Sequence, residues 1–235
     1  MQNEPKKFLI GLRVSKKIDW QNYLGWLNVS QEKEIALLLA QSSIDDRREL
    51  YKGLEKIDNL KIPYIEISST FEAWELDYLT STFQTGIFGI DASPAAFSFV
   101  STMSKYSTNI ALKNTNSKDS YNLFTDESLT RAGVLSIGLD LAALEHDRLY
   151  NKKTYQSSVH ALDHHNLSVI HIKPFVAAWY KRWLPVKPLR LTSLAELHYI
   201  KYVPANYISN LVILDNNNLP EEQLEIKAYI ATIIK

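Results

Sequence analysis

A closed barrel of eight parallel strands, each followed by a helix, is the fold class that three observations in the sequence predict. Short apolar runs alternate with helical segments at about thirty residues per repeat, the rhythm of an α/β barrel. Three of the later runs deliver a polar side chain at the same relative place: Asp140 after 134–139, His171 within 167–173, and Asp215 after 210–214. Barrel and parallel-sheet proteins carry their chemistry at the carboxyl ends of strands, so this recurrence also marks a candidate site. The first run is followed by Val14-Ser-Lys-Lys, with no glycine-rich phosphate turn of the kind an open doubly wound sheet usually carries.

The elements follow in order. Residues 8–14 form the first strand, and a helical piece lies around 20–27. Residues 34–40 could continue a helix. Ser42 and Ser43 then open a clear helix over 44–57, which makes 34–40 the second strand. Ser43 can cap that helix, with Asp45 and Asp46 at its positive end. Strand three covers 62–68, with Pro63 tolerated at its start, and 71–83 is an aromatic-rich amphipathic helix. Strand four covers 86–91, and Pro94 opens the next helix. Strand five covers 109–114, and a short helix starts near Thr125. Strand six ends at Asp140, and 151–164 is its helix. Strand seven carries His171, 192–202 is the next helix, strand eight ends at Asp215, and 220–234 is the last helix. The pattern is a single (β/α)8 TIM barrel over residues 1–235. One connection is out of scale, the loop 173–190. It holds Lys173, Lys181, Arg182, Lys187 and Arg190 beside Phe175, Trp179, Tyr180 and Trp183, with no acid. On a barrel it would lie above the carboxyl face, where long loops serve function.

Composition narrows the function. Hydrophobic residues make up 46% and charged residues 22%, enough for a full core and unlike a disordered chain. Twenty-six basic residues balance 26 acidic ones, so no general field for nucleic acid exists. Absence of cysteine removes disulfides, thiolate nucleophiles and cysteine metal sites, which fits a cytoplasmic location. Lys6 and Lys7 precede an apolar stretch too short for a signal core, and no run approaches the roughly 18 apolar residues of a membrane span. The expectation is a soluble cytoplasmic protein with neither nucleic-acid nor membrane partners.

Four motifs carry a resemblance. Ile-Ala-Leu-Lys-Asn-Thr (110–115), Gly-Leu-Asp-Leu-Ala-Ala (138–143), Val-Ile-His-Ile (169–172) and Val-Ile-Leu-Asp (212–215) resemble the xylose isomerase-like barrel superfamily. That group includes sugar isomerases, epimerases and endonuclease IV. Its pattern ends strand five in Glu-Asn-Thr, strand six in Asp-x-x-His, strand seven in His and strand eight in Glu. Those side chains hold one or more divalent metals. Asp140 and His171 match this pattern. Lys113 stands in place of the strand-five glutamate, before the expected Asn114 and Thr115. Ala143 replaces the strand-six histidine, Pro174 an acid after the strand-seven histidine, and Asp215 shortens the final glutamate.

The resemblance implies a barrel that binds a sugar-like or anionic small molecule, with Lys113, Asp140, His171 and Asp215 as its catalytic candidates. A lysine ammonium would oppose a metal on Asp140, His171 and Asp215, and could replace it by pairing with Asp140 and Asp215. No cofactor is therefore expected, and a divalent metal on those three residues is the alternative. Glu66, Asp91, Lys173, Trp179, Lys181 and Arg182 are candidate ligand contacts. Each residue also has a plainer reading. Lys113 would face outward if the register slipped by one, Asp140 would cap a turn into 141–145, and His171 would be a core histidine. Glu66 and Asp91 would face the helices. If the protein turns over substrate, His171 and Asp140 are acid–base candidates, and Lys113 would polarise a carbonyl or stabilise an enediolate. Rival functions are a Schiff-base lyase using Lys113, which nearby carboxylates disfavour, and a non-catalytic barrel that binds a ligand or a protein.

Two further features are weaker. His160 and His164 have i, i+4 helical spacing beside Asp163, but an outer barrel helix is a poor place for a metal. Glu221 and Glu222 in the first turn of the last helix would repel a phosphate there.

Overall fold

The computed structural model describes residues 7–14, 17–115, 123–172, 211–215 and 220–233. Eight parallel strands close on themselves in chain order. They are β1 (Lys7–Arg13), β2 (Glu34–Leu38), β3 (Lys61–Ile67), β4 (Ile87–Asp91), β5 (Ile110–Lys113), β6 (Ser136–Asp140), β7 (Asn166–Ile172) and β8 (Leu211–Asp215). Pairing of β1 with β8, Gly11 opposite Asp215, completes the ring. Among the described residues eight α-helices surround it: α1 (Lys17–Val29), α2 (Ile44–Leu54), α3 (Ala73–Phe83), α4 (Pro94–Thr102), α5 (Asp126–Arg131), α6 (Leu141–Tyr150), α7 (Lys152–His164) and α8 (Pro220–Ile233). This is the predicted (β/α)8 barrel.

Local chemistry explains where the helices start. Ser43 accepts the amide of Asp46 at the head of α2, with Asp45 and Asp46 in the first turn. Ser93 accepts the amide of Ala96, and Pro94 supplies the preset first position of α4. Glu72 and Glu75 form a reciprocal capping box on α3. The ambiguous segment at 34–40 is a strand, because Leu39 and Ser42 turn the chain directly into the capped α2.

The main departure lies after β6. Residues 141–150 form a helix of their own, α6, ahead of the expected one. Asp140 accepts the amides of Ala142 and Ala143, so the strand passes into the helix without a loop. Leu141, Ala142, Ala143 and Leu144 are good helix formers, which sustains that abrupt entry. The helix expected at 192–202 and the loop 173–190 lie outside the described residues.

Strand alternation divides the apolar core in two. Inside the barrel, Leu9, Ala36, Leu38, Tyr64, Ala111, Val169, Leu211 and Ile213 pack together. The intervening positions, among them Ile10, Leu37, Ile65, Phe88, Leu112, Leu139 and Ile170, join the helices in a larger outer cluster. The outer layer also holds a buried ion pair. Arg47 of α2 donates to both oxygens of Glu75 of α3, at 2.7 and 2.9 Å, and stacks 3.9 Å from the Phe71 ring.

Candidate functional site

Positions that continue the inward set reach the carboxyl ends of the strands as polar residues. These are Arg13 on β1, Glu66 on β3, Asp91 on β4, Lys113 on β5, Asp140 on β6 and His171 on β7. Asp215 ends β8 and its backbone pairs with β1 at the same end. Lys113, Asp140, His171 and Asp215 thus close the same face of the barrel. Lys173, Trp179, Lys181 and Arg182 lie outside the described residues.

Lys113 points inward and is 1% exposed. Its ammonium donates to Glu66 Oε2 and lies 3.1 Å from Asp91 Oδ1. Among the described side chains, counter-charge for Lys113 comes from Glu66 on β3 and Asp91 on β4, and the side chain of Asp215 lies outside those described. Gly138 beside it on β6 faces Val169 and the lysine stem, where a Cβ would come 3.1 Å from Val169 Cγ1 and 3.4 Å from Lys113 Cβ. Glu66, 2% exposed, faces the barrel rather than the helices and meets side chains from three strands. Besides Lys113, Arg13 Nη1 lies 3.6 Å from its Oε1, and His171 Nδ1 lies 3.9 Å from its Oε2. Asp91 is the open member, with its side chain 51% exposed.

Asp140 realises its plainer reading. Its Oδ1 accepts from Ala142 and Ala143 at 3.0 and 3.1 Å, capping α6. Its backbone is gripped by Asn114, which accepts the Asp140 amide at 2.6 Å and donates to its carbonyl at 3.2 Å. That side-chain bridge ties the end of β5 to the end of β6. Asn114 thus has a structural task at this point.

His171 is fully buried, and its Nε2 sits 2.6 Å from the hydroxyl of Tyr64. The two rings meet edge to face with centroids 5.0 Å apart. Because β3 and β7 are opposite one another in the ring, this contact spans the barrel. Tyr64 reaches across only because β4 carries Gly89: a Cβ there would come within 1.8 Å of the phenol oxygen. Sequence reasoning missed Tyr64. Its signal was the i, i+2 spacing with Glu66, which puts both on one face of a strand. His160 and His164 meet edge to face on α7, with ring centroids 4.4 Å apart. Among the described residues no group of three or more His, Asp or Glu side chains is arranged to hold a metal ion.

The chain is a closed barrel of eight parallel strands with polar residues at the carboxyl ends of its strands, and its fold is similar to that of a solved endonuclease IV. Endonuclease IV from Thermus thermophilus superposes with a TM-score of 0.52 at 14% identity, over 98% of this chain and 97% of that one. An uncharacterised B. cereus protein gives 0.46 at 13% identity, over 94% of this chain and 64% of that one. A mandelate racemase/muconate lactonizing enzyme from Bordetella bronchiseptica gives 0.43 at 10% identity, over 94% and 55%. This chain spans less than two thirds of the length of those last two. At such identities the likeness is one of fold. No family model matches the sequence, and no curated protein is similar to it. No described helix is long and apolar enough to cross a membrane.

Proposed function

We propose that this barrel binds a small sugar-like or anionic molecule at its carboxyl face, in the manner of an isomerase or epimerase, with the Lys113 ammonium in the place of a metal. One observation carries the reading: a buried lysine held between Glu66 and Asp91 at the end of the barrel.

Among the described side chains, the donors that a divalent metal of the kind the resemblance implies would need are engaged elsewhere. A metal needs free carboxylate and imidazole lone pairs. Here an ammonium already occupies Glu66, the Asp140 carboxylate accepts two amides, and His171 Nε2 meets Tyr64. An added divalent ion would also face the charge of Lys113. In this reading Lys113 draws charge from a ligand carbonyl or enediolate, and Asp91, the exposed carboxylate, exchanges the proton. Two carboxylates around the amine favour its charged form, which sets the Schiff-base route aside.

A second reading, binding without turnover, is favoured by the near-complete burial of His171, Lys113 and Glu66. A nucleic-acid role by analogy with endonuclease IV ranks last, since basic and acidic residues balance at 26 each. The test is a thermal-shift screen of aldoses, ketoses and their phosphates, followed by incubation of each hit in D2O. Deuterium entering the carbon beside the carbonyl supports isomerase-type chemistry. Binding with no exchange supports the second reading, and no binding at all rejects both.

A further inference from the structure

We propose that Tyr64 and His171 act as a positioning pair, with Tyr64 donating to His171 Nε2 so that Nδ1 carries its proton toward Glu66. The proposal rests on the same site as the function above, but concerns what the histidine itself does there.

A neutral imidazole has one donor nitrogen and one acceptor nitrogen, and the partners decide which is which. On the Nδ1 side stands Glu66 Oε2 at 3.9 Å, beyond direct hydrogen-bond distance. A carboxylate only accepts, so a proton on Nδ1 is favoured and a lone pair there is opposed. On the Nε2 side stands the Tyr64 hydroxyl at 2.6 Å, a group that can donate or accept. With Nδ1 protonated, the phenol completes the arrangement by donating to Nε2.

The surroundings agree. On β6 the register partner of His171 is Asp140, whose carboxylate accepts the amides of Ala142 and Ala143. On β8 the register partner is the apolar Ile213. Lys113 and Arg13 act on the ring through Glu66, which both of them face. Tyr64 lies among the apolar residues of the barrel interior. His171 presents an N–H to the face of the barrel and offers it no lone pair. The acid–base role assigned to His171 by sequence reasoning passes to a positioning role: the ring turns its N–H toward Glu66, and Glu66 accepts from Lys113.

Nitrogen-15 NMR of the full chain with labelled histidine tests this directly. The chain has 6 histidines, and the signals lost in His171→Gln identify the right ones. The expected spectrum at neutral pH has a protonated Nδ1 and an acceptor Nε2. In Tyr64→Phe the Nε2 signal should move toward that of an unbonded acceptor nitrogen. A proton on Nε2 alone, or on both nitrogens, in the wild type overturns the proposal even if Tyr64→Phe fails to fold. An unmoved Nε2 signal in a folded Tyr64→Phe overturns it as well. Neither measurement depends on metal content or on any ligand, so this proposal and the functional one can fail separately.

Discussion

Lys113 of β5 and Glu66 of β3 join across the strand between them, with both side chains withdrawn from solvent and Asp91 of that middle strand flanking the ammonium. Removing the cation leaves Glu66 buried with, among the described residues, the more distant Arg13 and His171 around it. Lys113→Met should therefore destabilise the fold by about 3 kcal/mol, measured by urea unfolding. A loss under about 0.5 kcal/mol would mean that the pair adds no net stability.

Lys113→Glu is the more informative exchange. It sets a third carboxylate beside Glu66 and Asp91, so Mn²⁺ or Zn²⁺ should raise the melting temperature of the variant and leave that of the wild type unchanged. Elemental analysis finding about one divalent ion per wild-type chain would reject the metal-free proposal.

Asp140 separates a capping role from a charge role. Asp140→Ala should cost about 1 kcal/mol, because the amides of Ala142 and Ala143 lose their acceptor. Asp140→Asn keeps an oxygen in place and should stay within about 0.5 kcal/mol of wild type. If the asparagine variant unfolds as readily as the alanine one, the negative charge matters beyond the cap.

Gly89 and Tyr64 should be strongly coupled. An alanine Cβ at 89 would fall 1.8 Å from the phenol oxygen and 2.6 Å from Cζ, so Gly89→Ala should cost about 1–3 kcal/mol in the wild type. In a Tyr64→Leu background that added penalty should largely vanish. A double-mutant cycle measures the difference, and simple additivity would contradict the contact.

Alkaline stability reads the packing of α2 against α3. Burial pushes the Tyr51 phenol well above its ordinary value of 10.0, and the neighbouring Glu75 carboxylate pushes it further. Above pH 10 the unfolded chain releases that proton while the folded chain keeps it. Its contribution is thus complete below pH 10 and declines above, by about 1.4 kcal/mol per pH unit. Tyr51→Phe should flatten that part of the stability curve relative to wild type. Parallel curves would remove Tyr51 as the source.

Much of the fold was legible because each strand carries its own apolar run and each early helix its own cap, as at Ser43 and Ser93. Helix α6 was not, because no glycine, proline or polar break separates Leu139 from Leu141 beyond one acid. The single carboxylate of Asp140 serves as strand end and helix cap together. Lys113 stood out as a charge at an apolar strand end. Its partners did not, since Glu66 is 47 residues away and only the closed ring decides which strands face each other. Tyr64 was hidden more deeply: a tyrosine inside an apolar run reads as core, and its partner lies 107 residues downstream.

Interleaving two sets of side chains along every strand has a bearing on descent. Odd positions of β5 address the interior and its rim, while Ile110 and Leu112 address the helical shell. An exchange such as glutamate for lysine at 113 can be answered by neighbours on the rim, with the shell taking no part. A lineage could thus swap one cation for another, or lose turnover and keep binding, while the mutational record of the outer layer stays silent.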